Sequence, residues 1–182
     1  MLLSFVWDLL LFVLVLRLWM QYFNAPFSNP VSQLVIRITL PFVWPLQRIL
    51  PRAWGFDLAI IAAFLVISML KSGVVMRLTG SSWPNIHGVF LLSMADFIHK
   101  NFIFFSNLVF VRAILSWFLP SPSAPLMQIL LLITEPLLKW ARGYIPPLAN
   151  TLDLSPLVVF IVLQALDYLL VGPIVSMGMR WV

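Results

Sequence analysis

The sequence contains no cysteine and only two histidines, and these scarcities exclude several kinds of chemistry. Without cysteine there are no disulfides, thiolate metal sites, iron–sulfur clusters or cysteine nucleophiles. The spacing of His87 and His99 matches no familiar metal-ligand motif. The chain also lacks a glycine-rich phosphate loop, a nucleophile elbow and an HExxH motif. We therefore expect no enzymatic activity and no bound cofactor.

Charged residues are scarce as well. They form 9% of the 182-residue chain, and hydrophobic residues form 62%, whereas soluble domains average about 25% and about 45–50%. Because so few charges cannot cover the apolar surface of a water-soluble fold, the composition predicts a chain embedded in the lipid bilayer. The net charge is +5, but the eleven Lys and Arg residues are scattered singly, so no nucleic-acid partner is expected.

Four segments are long and apolar enough to cross a membrane. A bilayer core needs about 20 apolar helical residues, and the predicted spans are residues 2–22, 58–78, 101–119 and 156–177. The first segment has no basic region before it and carries Asp8, so it is expected to be a retained membrane helix rather than a cleaved signal peptide. The sequence thus predicts an all-α, polytopic transmembrane protein.

Two long apolar segments between the spans, residues 24–57 and 120–156, are rich in proline. Proline disfavours a helix interior, so each segment is predicted to form short, proline-broken amphipathic helices that lie in the membrane interface or dip into the membrane. In the first segment these are expected over residues 31–39 and then to about residue 50. Residues 86–98 would be about 20 Å long as a helix, too short to span alone, and predict a short interfacial or half-membrane helix that leads into the third span.

Identical residues recur along the chain at an offset of 95. Nine of the 35 positions from 17 to 51 match without a gap, and the matches favour Pro, Arg, Gln and Thr over the abundant Leu and Val. We therefore predict two tandem repeats of helix, loop helices and helix, over residues 1–80 and 101–182, joined by a linker over 81–100. Two spans per repeat make the copies parallel. Basic residues concentrate in the long loops, which predicts cytoplasmic loops and both termini outside.

The repeated segments carry a family resemblance. Residues 112–156, RAILSWFLPSPSAPLMQILLLITEPLLKWARGYIPP followed by LDLSP, resemble the YggT family, and residues 17–57 match it more loosely. The usual family loop has two adjacent arginines before a proline, whereas each copy here keeps one, Arg48 and Arg142. The first copy also reads Asp57-Leu58-Ala59 where Asp-x-Ser-Pro is typical.

The resemblance implies a multi-pass protein of the bacterial cytoplasmic (inner) membrane, with plastid relatives called YlmG. Members of the family are linked to membrane organisation, cell division or the assembly of larger complexes, and plastid members to cytochrome cofactor assembly. It therefore implies a scaffold or assembly factor that works with other membrane proteins in the lipid bilayer, whereas a homo-oligomer is what the alternative below requires. Some members are associated with osmotic and potassium homeostasis, so an oligomeric ion transporter or channel component is the alternative.

Two repeat-related pairs of charged residues are candidate sites. Arg17 and Arg112 lie near their helix ends, where an arginine either reaches the interface or binds an anion or lipid headgroup. Asp57 and Asp153 precede a predicted span, where a carboxylate caps a helix or holds an ion. A further alternative is that each aspartate also pairs with a loop arginine, such as Arg48 or Arg142.

Asp167 lies in the middle of the fourth predicted span. A charged carboxylate is costly there, so a buried partner or a proton-linked role is expected. Lys71 and Arg112 are the candidate partners, and a neutral, protonated aspartate in a helix interface is the alternative.

Overall fold

The computed structural model describes residues 2–53, 55–78, 85–118, 124–144 and 155–181. Their secondary structure is helical apart from one small hairpin. The helices are α1 Leu2–Tyr22, α2 Pro30–Gln47, α3 Leu58–Leu78, α4 Ile86–Phe118, α5 Pro125–Tyr144 and α6 Ser155–Met179. Strands β1 Arg52–Ala53 and β2 Phe56–Asp57 pair antiparallel between α2 and α3.

Four of these helices, α1, α3, α4 and α6, are long and apolar enough to cross a membrane. The prediction of an all-α chain with four membrane spans is confirmed at this level. The bounds of α1 and α3 agree with the predicted spans, because each is a continuous apolar run that ends at a turn or at charged residues. Helices α2 and α5 are amphipathic and fall between the spans.

Residues 86–98 are helical and lead into the third span, as predicted, but they do not form a separate short helix. These residues form the first turns of α4, which continues for 33 residues and is about 50 Å long. Past Gly88 in its first turn, α4 contains neither proline nor glycine, so no residue interrupts its backbone hydrogen bonds. Helix α6 also packs along it in the opposite direction, since Leu92 meets Gly178 and His99 meets Asp167.

The prediction of proline-broken loop helices is also wrong. Helix α2 continues through Pro41 and Pro45, and α5 continues through Pro136. A proline inside a helix frees the carbonyl four residues earlier, which lies on the same face. All three prolines are on the exposed face, so the freed carbonyls face outward, where water or lipid headgroups satisfy them. Asn29 caps α2 by accepting from Val31 N at 2.9 Å.

The core lies where α1, α3 and α4 pack together and α2 closes one end. Phe64 and Phe104 are the largest fully buried side chains, and Phe104 packs against the ring of Phe12. Trp19 of α1 donates a hydrogen bond to Asn101 Oδ1 of α4 at 2.7 Å. These contacts fix α1 against α4 and hold the buried end of α1 next to α2 and the hairpin.

The β-hairpin places Asp57 at the start of α3. Gly55 in its turn has a φ of +83°, a conformation that favours glycine. A Cβ added there would lie 3.5 Å from the Tyr22 ring, and that ring stacks on Phe56. The end of α1 and the hairpin are therefore packed tightly against each other.

Candidate functional site

Arg17 is a buried cation near the end of α1. The residue is 8% exposed, and its Nη1 donates to Thr39 Oγ1 of α2 at 2.7 Å. Thr39 is fully buried, and its hydroxyl in turn donates to Val35 O at 2.6 Å. The guanidinium is thus held inside, against α2, rather than reaching out to the interface.

Arg112, 95 residues after Arg17, makes the same contact with a threonine. Its Nη1 donates to Thr134 Oγ1 at 2.8 Å, and Thr134 donates to Leu130 O. Arg112 also forms an ion pair with Glu135, which accepts a second hydrogen bond from Arg142 at 3.1 Å. Burial alone raises the pKa of the Glu135 carboxyl, but the hydrogen bonds and charges of the two arginines outweigh it, so its pKa lies below the ordinary value.

Position 135 marks a difference between the two repeat-related sites. The residue 95 positions before Glu135 is Leu40, so no carboxylate occupies the corresponding place near Arg17. Asp57 attracts Arg17 electrostatically, but the hydrogen bond of Arg17 in the described part of the chain goes to Thr39. The difference between Leu40 and Glu135 is visible in the sequence, but only the structure shows that Glu135 binds Arg112.

Asp57 is buried and holds three groups together. Its Oδ1 accepts from Ala59 N at 3.1 Å, the geometry of a helix N-cap, and its Oδ2 accepts from Gln47 Nε2 at 2.7 Å. Arg52 Nε lies 3.8 Å from the same oxygen. Asp57 thus joins the end of α2, the hairpin and the start of α3.

Asp57 does lie next to a loop arginine, but this arginine is neither Arg48 nor Arg142. Its arginine partner is Arg52, which faces it across the hairpin. The guanidinium of Arg48 instead lies 3.6 Å above the Trp44 ring, one turn earlier on α2. Asp153 lies outside the described residues.

The partner of Asp167 is His99, not Lys71 or Arg112. His99 Nδ1 is 2.9 Å from both carboxylate oxygens. Arg112 lies 13 residues further along α4, about 20 Å away, and Lys71 is bonded to Asp8 at 2.6 Å. The antiparallel packing of α4 on α6 decides the pairing.

Sequence reasoning missed a second charged cluster at membrane depth. Asp8 of α1 accepts from Lys71 of α3 at 2.6 Å and from Lys100 of α4 at 2.7 Å. Lys100 also lies 3.3 Å from Asp96, which accepts from Ser68 at 2.7 Å. Two lysines and two aspartates balance their charges, which lowers the cost of placing them in a membrane. The sequence signal for this cluster was the presence of charged residues within the otherwise apolar helices α1, α3 and α4.

A cavity of about 430 Å³ lies beside Arg17. Arg17, Gln21, Gln47 and Arg52 line it together with apolar residues of α1 and α2. Ser32 also lines it, and its buried hydroxyl has no hydrogen-bond partner in the described part of the chain. The described part of the chain contains no group of three or more side chains suited to a metal ion.

Known proteins of several organisms are similar to this chain. A Vibrio alginolyticus protein in the proC 3′ region is 34% identical over 177 residues, covering 95% of each chain. The YggT protein of Escherichia coli strain K12 is 32% identical over 166 residues, covering 91% of this chain and 85% of the other. The chloroplastic YlmG homolog protein 2 of Arabidopsis thaliana is 43% identical over 63 residues, covering 34% and 24%. No solved structure matches.

The family model that matches covers nearly the whole chain. It is described as CCB3/YggT and matches residues 1–78 and 91–174. These two stretches contain all four helices that are long enough to span a membrane, in whole or in large part. The resemblance seen in the repeated segments is therefore confirmed, and the chain belongs to the CCB3/YggT family.

Proposed function

We propose that this protein is a non-enzymatic membrane scaffold or assembly factor, and that α6 is the helix that holds its partner. The observation that carries the proposal is Tyr168. It lies next to the middle of α6, its side chain points away from the rest of the chain, and the residue is 83% exposed. Its hydroxyl has no hydrogen-bond partner among the described residues.

A phenolic hydroxyl is costly in hydrocarbon unless it is hydrogen-bonded. From the middle of a span the interface is about 15 Å away, which is beyond the reach of a tyrosine side chain. A polar group from another membrane protein would satisfy the hydroxyl at that depth. An assembly partner explains the position of Tyr168 better than contact with lipid does.

The surroundings of Tyr168 also suit a partner helix. Gly172 and Ser176 are exposed and follow Tyr168 at four-residue intervals along α6. Small residues let two helix backbones approach closely, and amide or hydroxyl groups form hydrogen bonds between membrane helices. A Cβ at Gly172 would meet no atom within 4 Å, so this face has room for a neighbour.

The internal pairing of charges supports a scaffold more than an ion pathway. In the described residues Asp8 and Asp96 are compensated by Lys71 and Lys100, and Asp167 is hydrogen-bonded to His99. Charges that neutralise one another hold the helices together. This arrangement suits a rigid platform in the membrane.

We also propose that the chain is a tandem duplication. The Arg17–Thr39 and Arg112–Thr134 hydrogen bonds join equivalent atoms of residues 95 apart. Helices α2 and α5 begin at Pro30 and Pro125, which are also 95 apart. Parallel copies place both long loops on one side, which the basic residues assign to the cytoplasm.

A photocrosslinking amino acid at position 168 tests the scaffold proposal in native membranes. The expected result is a discrete adduct with another membrane protein, identified by mass spectrometry. The same amino acid at Val66, an exposed residue of α3, is the control and should give lipid adducts only. Tyr168→Phe keeps the ring and should reduce co-purification of that protein in mild detergent without changing thermal stability.

Two results would contradict the proposal. Lipid adducts alone at position 168 would show that no partner covers this face. Adducts only between copies of this chain would favour the alternative, an oligomeric ion transporter or channel component. Ion flux into liposomes would then be compared between the wild type and Asp167→Asn.

A further inference from the structure

The cavity beside Arg17 combines positive charge, unused hydrogen-bond donors and apolar walls. Arg17 and Arg52 contribute two guanidinium groups, and Arg17 uses Nη1 for its hydrogen bond to Thr39. A guanidinium has five donors, so most donors of Arg17 remain available. Ser32 is 2% exposed and its hydroxyl lacks a partner. A buried cation and a buried hydroxyl with unused donors are costly unless a hydrogen-bond acceptor lies next to them.

The acidic side chains of the described residues are engaged elsewhere. Each of the five lies within 4 Å of a basic side chain; the acidic residues are Asp8, Asp57, Asp96, Glu135 and Asp167. Asp57 is the one near Arg17, and it is bonded to Gln47, to Ala59 and, at longer range, to Arg52. The cavity therefore has an excess of positive charge.

The second repeat-related site shows which chemistry completes such an arginine. Arg112 has the same threonine contact as Arg17, and the Glu135 carboxylate also binds it. Leu40 stands at the corresponding position in the first site, and a cavity lies beside the arginine there. An oxyanion is built into one site and absent from the other.

We propose that this cavity binds the phosphate of an anionic phospholipid, with Arg17 and Arg52 as its charged ligands and Ser32 as a further donor. Arginine matches phosphate oxygens in geometry and charge. The cavity is bordered by the turn after α1, where Phe27 is exposed, and this position at the end of a span is the depth of lipid headgroups. Met20 and Val35 in its wall suit the glycerol and acyl portion. The site does not depend on the scaffold proposal.

Native mass spectrometry tests the site on the full-length protein. The protein is extracted from vesicles of equal phosphatidylglycerol and phosphatidylcholine, and the lipids that remain bound are counted. Both lipids carry a phosphate, but the choline cation of phosphatidylcholine is repelled by the two guanidinium groups. The wild type should therefore retain phosphatidylglycerol about tenfold over phosphatidylcholine. Arg17→Gln should abolish this preference. Arg37→Gln removes an exposed arginine of α2 outside the cavity and should retain it.

A second variant keeps the test decisive if Arg17→Gln fails to fold. Leu40→Glu supplies the first site with the carboxylate that Glu135 supplies to the second, and it should abolish the preference without removing any cation. Leu34→Glu makes the same change at another exposed position of α2, whose counterpart 95 residues later is Ile129 and not a carboxylate, and should leave the preference intact.

Three results would overturn the proposal. The first is an equal retention of the two lipids by the wild type. The second is a preference that survives Leu40→Glu. The third is the displacement of phosphatidylglycerol by millimolar inorganic phosphate, which would show a site for free phosphate rather than for a lipid.

Discussion

The two buried threonines offer an internal comparison of the arginine sites. Thr39→Val and Thr134→Val each remove the hydroxyl that accepts from an arginine Nη1. A hydrogen bond to a charged group contributes about 1.5–3 kcal/mol. Arg112 keeps Glu135 after the change, whereas Arg17 loses its hydrogen-bond partner in the described part of the chain. Thr39→Val should therefore cost about 2–3 kcal/mol and Thr134→Val about 1 kcal/mol.

Thermal unfolding in a zwitterionic detergent without added lipid measures both costs. For a chain of this size about 1 kcal/mol lowers Tm by about 2–4 °C, so Thr39→Val should lower it by about 4–12 °C and Thr134→Val by half as much or less. The corresponding serine variants keep the hydroxyl and should stay close to the wild type. Equal losses for the two valine variants, or a larger loss for Thr134→Val, would refute the assignment of Glu135 as the second partner.

Three further predictions concern other parts of the chain. Because the pKa of Glu135 is lowered in the folded state, its ion pairs stabilise the protein above the ordinary pKa of about 4.3 and are lost as pH falls through the lowered value. The Tm difference between the wild type and Glu135→Gln should thus vanish in acid; a constant difference would contradict this. Gly178→Ala places a Cβ 2.9 Å from a leucine of α4 and should cost about 1–3 kcal/mol, whereas Gly172→Ala should not destabilise. Single cysteines at Arg48 and Arg142 should react with an impermeant thiol reagent from the cytoplasmic side only; labelling from opposite sides would mean inverted repeats.

The spans could be predicted from the sequence because hydropathy and length decide them. Helices α1 and α3 have the predicted bounds, since an apolar run in lipid must satisfy its backbone internally and a helix does so. The errors came from reading local signals in isolation. The length of residues 86–98 said nothing about whether the helix continues, and the prolines of α2 were weighed without knowing that they face outward.

The contacts of the candidate site were less accessible from the sequence. Arg17 and Thr39 are both matched in the repeat at a separation of 22 residues, so a contact between them could have been proposed. The pairing of Asp167 with His99 depends on which helices are neighbours and in which direction they run. Nearly featureless apolar helices do not encode that order in their hydropathy, and the candidates Lys71 and Arg112 therefore did not include the observed partner, His99.

The two arginine sites differ in what completes them. An arginine taken out of water is costly to desolvate unless an anion pairs with it. Arg112 pairs with Glu135, which Arg142 also contacts, so this site stabilises the fold. The position that corresponds to Glu135 near Arg17 is Leu40, and a cavity lies beside Arg17. The same arginine–threonine frame thus stabilises the fold in one half, and in the other it leaves a cation that is free to recognise an anion from outside the chain.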